Sequence, residues 1–192
     1  MRLFRRAARE DDRTRLLRLL PHNAVCAEIG VLEGDFSERI IALTRPRRLH
    51  LIDPWKFEPG ATYERAVYGR AHAHDQAHMD EMCERVRERF EQEIRTGAVV
   101  MHRASSLEAA GHFENEYFDF IYIDANHQYE FVRQDLETYC PKVKTGGFIT
   151  GDDYGVSGWW GDGVTRAVDE FVTRGGCVRR RTRDSQFVLR RR

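Results

Sequence analysis

AVCAEIGVLEGDFSERIIALT at residues 24–44, followed by RLHLID at residues 48–53, is the stretch that decides the fold class. Residues 24–30 form a short apolar run typical of a buried strand, and residues 35–44 are predicted to be the helix after it. RLHLID is another short apolar run and predicts a second strand. A strand, a glycine turn, a helix and a second strand make one unit of a parallel sheet.

The alternation of strands and helices continues along the chain. Further strands are predicted at residues 98–102, 118–124 and 146–152, and short β-prone pieces lie near Val178 and at residues 186–190. Further helices are predicted at residues 11–20, 75–95, 127–140 and 163–173. We expect an α/β fold with a Rossmann-like, doubly wound, mainly parallel seven-stranded sheet and helices on both faces.

Length and charge limit the organisation and the partners. The 192 residues, of which 41% are hydrophobic, fit one domain over residues 1–192. Residues 1–18 carry a net charge of +4 and residues 174–192 carry +7, so the rest of the chain carries −11. An acidic body between basic ends argues against a duplex-binding face. We interpret the parts of this domain as a leading helix at 1–20, a covering segment at 54–74 and an Arg-rich C-terminal strand pair at 174–192.

The chain has no apolar run of the roughly 18 residues that a membrane-spanning helix needs. The N-terminal residues also lack the apolar stretch of a signal peptide. We therefore expect a cytoplasmic protein without a membrane partner. The sequence leaves open whether the chain forms a homo-oligomer.

The first two strand ends favour a nucleoside ligand, because ligands of parallel sheets bind at the carboxyl ends of strands. Gly30 and Gly34 follow the first strand and open into a helix, which lets a ligand approach the backbone; a purely structural turn is the alternative. Leu32 stands where a pyrophosphate-binding turn has its middle glycine, so a ligand without a diphosphate fits better. Asp53 ends the second strand, where an acid accepts hydrogen bonds from ribose hydroxyls, although it could instead cap a turn.

The later strand ends also carry polar residues. Ser105 follows the third strand and could contact an adenine edge or cap the helix that begins near Leu107. Asp124 ends the fourth strand, and Asp152 and Asp153 end the fifth. Three carboxylates at one sheet edge repel one another unless something positive lies among them. Mg²⁺ is the cation that this reasoning predicts, with separate solvated caps as the alternative.

His127 follows Asp124 by three residues. It titrates near neutral pH and is suitably placed for a general base, whereas a surface histidine at a helix start is the simpler alternative. Trp159 and Trp160 follow the acids closely and either form a wall of the substrate site or pack against the covering segment.

These motifs resemble those of class I S-adenosylmethionine-dependent methyltransferases, and among them the small metal-dependent O-methyltransferases of the catechol and macrolide-sugar types. EIGVLEGDFS is similar to the first cofactor motif and LHLIDPW to the acidic second motif. The most specific stretch, YIDANHQYEFVRQDLETYCPKVKTGGFITGDDY, is similar to the metal and substrate region. The resemblance covers residues 20–173.

The resemblance implies a role for each candidate residue. S-adenosylmethionine would be bound by Glu28, Gly30 and Gly34 on its methionine side, by Asp53 at the ribose, by Ser105 near the adenine, and by Asp124. A divalent metal, Mg²⁺ or another, would be bound by Asp124, Asp152 and Asp153 and would hold two adjacent hydroxyls of a small-molecule substrate. His127 would be the catalytic base, and a histidine there leans toward sugar or macrolide acceptors.

Other functions remain open at this point. An NAD-linked oxidoreductase could use the same fold, although the missing middle glycine counts against it. The Arg-rich ends could serve a nucleic-acid binding or modifying protein, which the charge distribution makes a weaker hypothesis. A catalytically dead cofactor-binding domain is the third alternative.

Overall fold

The structure is a computed structural model that describes residues 11–58, 75–179 and 185–192. Seven strands lie in these residues: β1 Val25–Ile29, β2 Arg48–Asp53, β3 Val99–Arg103, β4 Phe118–Ile123, β5 Val143–Gly151, β6 Cys177–Arg179 and β7 Phe187–Arg191. The helices are α1 Asp12–Leu17, α2 Asp35–Thr44, α3 Gln76–Arg89, α4 Glu91–Thr96, α5 Ser106–Ala110, α6 Tyr129–Tyr139 and α7 Gly163–Thr173. None of these helices is long and apolar enough to cross a membrane.

The strands form one sheet in the order β3-β2-β1-β4-β5-β7-β6. Strands β1 to β5 pair in parallel, whereas β7 pairs antiparallel with both β5 and β6. The predicted mainly parallel seven-stranded sheet is therefore confirmed. The strand order reverses between β1 and β4, and ligands of such sheets bind at this switch point.

Each face of the sheet carries its own hydrophobic cluster, because successive side chains of a strand point to opposite faces. Ala27 of β1 packs into the cluster that α5, α6 and α7 complete. Its neighbour Cys26 packs into the cluster that α1, α2 and α3 complete. Because helices cover both faces of the sheet, polar residues of a binding site can lie at the carboxyl ends of the strands.

Three element boundaries differ from the predictions. The charged helix predicted at 75–95 is divided into α3 and α4 at Phe90, whose backbone leaves the helical region (φ −111°, ψ 22°). Within the described residues 11–20, the leading helix extends over Asp12–Leu17. Strand β5 begins at Val143 rather than at residue 146, because it pairs with Phe118 at the start of β4.

Parts of the predicted segments lie outside the described residues: 1–10 of the leading helix, 59–74 of the covering segment and 180–184 of the C-terminal strand pair. The first residues after β2 are described, and one of them, Trp55, belongs to the core. The side chain of Trp55 is fully buried, and its indole N–H donates to the carbonyl of Leu32 at 2.9 Å.

Candidate functional site

The ends of β1, β2, β4 and β5 are joined directly to one another by backbone hydrogen bonds. The N–H of Gly30 donates to Ile52 of β2 at 2.9 Å, and the N–H of Asp124 donates to the last residue of β1 at 2.8 Å. The N–H of Asp152 donates to the last residue of β4 at 3.3 Å. The residues that follow these strands are therefore held side by side along one edge, which we call the carboxyl edge.

The two glycines of the first turn are required by close packing of the chain itself. Gly30 has φ +89°, and a Cβ there would lie 2.1 Å from the carbonyl oxygen of Asp124. Gly34 has φ +81°, and a Cβ there would lie 2.8 Å from the ring of Phe90. The structure thus shows the structural role of both glycines, and their contact with a cofactor stays a prediction.

Asp53 fastens the first turn to the end of β2. Its carboxylate is buried and accepts hydrogen bonds from the N–H groups of Val31 at 2.9 Å and Leu32 at 3.1 Å through Oδ2. Its Oδ1 accepts from the N–H of Trp55 at 2.8 Å. This is the turn-capping alternative, so the ribose contact of Asp53 stays a prediction.

Glu28 lies one residue before the end of β1 and is almost completely buried. Burial raises the pKa of Glu28 to about 8, although the hydroxyl of Ser37, which donates to Oε2, lowers it in part. The negative charge of Asp124 raises the pKa of Glu28 further. At neutral pH the carboxyl group is therefore mostly protonated.

Ser105 caps the short helix α5. Its hydroxyl accepts from the N–H of Glu108 at 3.3 Å, while its own N–H and hydroxyl donate to the Glu108 carboxylate at 2.9 and 2.7 Å. This reciprocal capping box satisfies donors at the start of the helix. The structure therefore shows the capping alternative for Ser105, and its contact with adenine stays a prediction.

His127 joins the ends of β4 and β5. Its Nε2 lies 3.2 Å from Oδ1 of Asp124 and 3.1 Å from Oδ2 of Asp153. Asp153 has φ +61°, a conformation that non-glycine residues adopt rarely and keep where surrounding contacts fix them. The predicted base therefore lies between two of the predicted metal ligands.

The surroundings of His127 favour its protonated form. Burial lowers the pKa of His127, but the hydrogen bond with Asp124 and the charges of Asp124, Asp153 and Asp152 raise the pKa above its ordinary value. The ring also packs against Trp160, with the ring centroids 4.7 Å apart. The indole N–H of Trp160 is buried and has no hydrogen-bond partner in the described residues.

Asp152 makes its hydrogen bonds with parts of the chain other than His127. Its Oδ1 accepts hydrogen bonds from Ser185 at 2.6 Å, from the Gln186 side chain at 2.5 Å and from the N–H of Asp153 at 2.8 Å. Its Oδ2 accepts two hydrogen bonds from the guanidinium of Arg13, one of them from Nε at 2.7 Å. Both oxygens of this buried carboxylate are therefore already engaged.

Arg13 is the residue of the carboxyl edge that the sequence reasoning missed. Its Nη2 donates to Oδ2 of Asp124 at 2.8 Å as well as to Asp152. The sequence does contain a signal: Arg13 precedes Leu16, Leu17 and Leu20 by three, four and seven residues, which places it on the buried face of α1. An arginine at the end of an apolar stripe is expected to be partnered, since charged groups are rarely buried alone.

The predicted set of three metal ligands does not fit a metal ion in this arrangement. Both oxygens of Asp152 and Oδ2 of Asp124 accept hydrogen bonds from groups of the chain. Asp124, His127 and Asp153 do offer ligand atoms within 4.8 Å of one another. That set contains one nitrogen and two oxygens, whereas Mg²⁺ prefers oxygen ligands throughout.

A family model described as "Methyltransferase domain" matches residues 27–154. No curated protein matches the chain. Among solved structures, the cofactor-bound Rv0187 from MTB has a TM-score of 0.67 and 16% identity, and the match covers 97% of this chain and 82% of that one.

Two further structures carry more specific descriptions. The O-methyltransferase from Bacillus cereus in complex with SAH has a TM-score of 0.62 and 16% identity, covering 94% of this chain and 79% of that one. The O-methyltransferase TomG from Streptomyces achromogenes, involved in tomaymycin synthesis and in complex with SAM, has a TM-score of 0.61 and 17% identity, covering 93% and 77%. At these identities the likeness shows a shared fold.

The matched region runs from β1 to just beyond β5 and contains Glu28, Gly30, Asp53, Asp124 and His127. It spans well over half of the chain, and it confirms the resemblance to class I S-adenosylmethionine-dependent methyltransferases. The family match favours this class over an NAD-linked oxidoreductase. The chain therefore belongs to the methyltransferase domain family.

Proposed function

We propose that this chain transfers a methyl group from S-adenosylmethionine to a hydroxyl of a small molecule, such as a sugar, a macrolide or another natural product, or a catechol-like compound. One observation carries the proposal. His127, a group able to take a proton, lies between Asp124 and Asp153 at the carboxyl edge. The structural neighbours described as O-methyltransferases support the choice of oxygen as the acceptor atom.

The chemistry of the carboxyl edge fits this methyl donor. The sulfonium and ammonium groups of S-adenosylmethionine are cationic, and three acids lie at or next to strand ends: Glu28 one residue before the end of β1, Asp53 at the end of β2 and Asp124 directly after β4. These residues would hold the donor, with Gly30 and Gly34 beside them and Ser105 on the adenine side. When bound, S-adenosylmethionine supplies a methyl group that is already activated for transfer.

The chain then has to bring an oxygen nucleophile into line and remove its proton. In its neutral form, with the Nε2–H group donating to the neighbouring carboxylates, His127 can accept the proton of the acceptor hydroxyl at Nδ1. The imidazolium that results is stabilised by the carboxylates of Asp124 and Asp153, which lie 3.2 and 3.1 Å from Nε2. The bond from carbon to sulfur breaks as the new bond to oxygen forms, and S-adenosylhomocysteine leaves with the methylated product.

The predictions about the domain, the partner and the cellular location belong to the same proposal. We take residues 1–192 as a single methyltransferase domain with a small-molecule hydroxyl partner. The cytoplasmic location, and the expectation that nucleic acid is not a partner, stay predictions of the sequence. The metal site predicted on Asp124, Asp152 and Asp153 is not part of this proposal, because groups of the chain already engage both oxygens of Asp152 and Oδ2 of Asp124.

The first experiment is calorimetric titration of S-adenosylhomocysteine into the protein, followed by incubation with methyl-labelled S-adenosylmethionine and a panel of hydroxyl acceptors. We expect S-adenosylhomocysteine to bind and label to appear on an acceptor oxygen. Binding without transfer to any sugar, macrolide or phenol would contradict an oxygen acceptor. Absence of binding would contradict the cofactor assignment itself.

His127→Ala separates the base from the cofactor site. Removal of a general base reduces turnover by about 10²–10⁴-fold, so we expect a loss in this range with little change in the affinity for S-adenosylhomocysteine. The matched control is His112→Ala, since His112 is a histidine outside the carboxyl edge whose ring lies near His102. Equal losses of turnover and of cofactor binding in His127→Ala would contradict its role as the base.

A further inference from the structure

We propose that Arg13 is the resident cation of the carboxyl edge, so that this chain holds Asp124 and Asp152 with its own guanidinium in place of a divalent metal ion. The proposal goes beyond the proposed function by stating how the acids are neutralised and which acceptors the site can use. It rests on that function only where methyl transfer is the readout.

The contacts of Arg13 span the two acids. Nε lies 2.7 Å from Oδ2 of Asp152, and Nη2 lies 2.8 Å from Oδ2 of Asp124 while also donating to Asp152. A planar guanidinium with several fixed N–H groups is suited to bridging carboxylates in this way. Arg13 therefore lies between the end of β4 and the end of β5, where the sequence predicts a metal.

The helix that carries Arg13 is part of the core rather than a surface arm. Leu16 and Leu17 of α1 are buried in the cluster that also contains Phe36 and Ile40 of α2. The guanidinium carbon of Arg13 lies 5.2 Å from the centre of the Phe36 ring, a cation–π contact. Packing of α1 thus fixes the position of the charge.

The other groups around Asp152 leave it no free acceptor position for a metal ion. Ser185 and Gln186, just before β7, hold Oδ1 together with the N–H of Asp153. Arg13 holds Oδ2 twice. A metal ion that bound here would have to displace hydrogen bonds from three different parts of the chain.

Arg13 supplies positive charge among the acids without an added ion. Its guanidinium contacts Asp124 and Asp152, two of the three carboxylates. The repulsion that led the sequence reasoning to a metal is therefore relieved by the chain itself. Arg13 acts on the acceptor only through these acids, so it is a positioning residue.

The choice of cation has a consequence for the substrate. A metal ion can bind two adjacent oxygens of an acceptor as a Lewis acid and lower the pKa of one of them. The guanidinium of Arg13 does not coordinate oxygen in this way, and its Nε and Nη2 already donate to Asp152 and Asp124. Without that chelation the acceptor needs only one hydroxyl close to His127. We expect compounds with an isolated hydroxyl to be methylated as readily as compounds with vicinal hydroxyls.

The test uses Mn²⁺ as the probe, with its electron paramagnetic resonance signal reporting free and bound ion. Wild type is compared with Arg13→Ala and with Arg15→Ala, a control on the same helix whose arginine pairs with Asp12. We expect no stoichiometric Mn²⁺ binding by wild type or Arg15→Ala. Arg13→Ala frees two carboxylates and is expected to gain Mn²⁺ affinity by about tenfold or more. A merely structural role of Arg13 would not produce that gain.

Methyl transfer is measured in parallel with EDTA and with Mg²⁺. We expect wild-type turnover to be the same in both. Stoichiometric Mn²⁺ binding by wild type, or loss of turnover in EDTA, would overturn the proposal. If wild type transfers no methyl group, the proposed function fails while the Mn²⁺ titration still decides the role of Arg13. Because that titration uses the wild-type protein, the proposal remains testable even if Arg13→Ala does not fold.

Discussion

Asp53→Ala tests whether the carboxylate at the end of β2 holds the first turn together. The substitution removes the acceptor of three backbone N–H groups, those of Val31, Leu32 and Trp55. An unsatisfied buried donor costs about 1–3 kcal/mol, and the lower figure applies where water can enter the space left by the side chain. We expect the free energy of unfolding to fall by about 3 kcal/mol, since three donors are affected.

For a domain of this size, each kcal/mol shifts the melting temperature by about 2–4 °C, so the expected decrease is about 6–12 °C. Thermal unfolding measures it directly. The matched control is Asp75→Ala, which removes a single exposed N-cap contact to His78 and is expected to cost about 1 kcal/mol. Equal effects of the two substitutions would refute the reasoning. A loss of cofactor affinity at an unchanged melting temperature would instead show that Asp53 acts on the ligand directly.

Three further outcomes are expected. Gly30→Ala should lower the free energy of unfolding in urea more than Gly97→Ala does. Both glycines have a left-handed backbone, but a Cβ on Gly97 would meet no other atom within 4 Å, so only the backbone strain of about 1–2 kcal/mol applies there. The stability of wild type should fall as the pH rises from 4.5 toward 8, since folding raises the pKa of Glu28, and Glu28→Gln should flatten that dependence. Trp160→Ala should lower turnover more than Trp160→Phe in the labelled-methyl assay, because only phenylalanine keeps a ring against His127.

The sequence predicts the sheet well because its central strands are buried on both sides. Such strands read as continuous apolar runs, and the runs at 48–53 and 118–124 coincide with β2 and β4 to within one residue. The break at Phe90 is different, because it falls where the Phe90 ring packs next to Gly34, which lies far away in the sequence. The helical spacing of apolar residues in this segment does not indicate that contact.

In the candidate site too, the local sequence pattern predicts some residues, whereas others depend on contacts between distant segments. The strand pattern places Asp124, Asp152 and Asp153 at one edge, and charge repulsion predicts a positive group among them. Arg13 is 111 residues before Asp124 and reaches it only through the packing of α1. Sequence reasoning did not find this contact because no local pattern joins the two positions.

Strand β7 is inserted between β5 and β6, and the two residues that precede it hold Oδ1 of Asp152. During synthesis, β1 to β5 leave the ribosome well before these residues do. An emerging chain can therefore assemble most of its sheet while Asp152 still lacks Ser185 and Gln186. The timing of translation thus separates formation of the parallel sheet from completion of the carboxyl edge, which a nascent polypeptide finishes only when Ser185 and Gln186 have emerged.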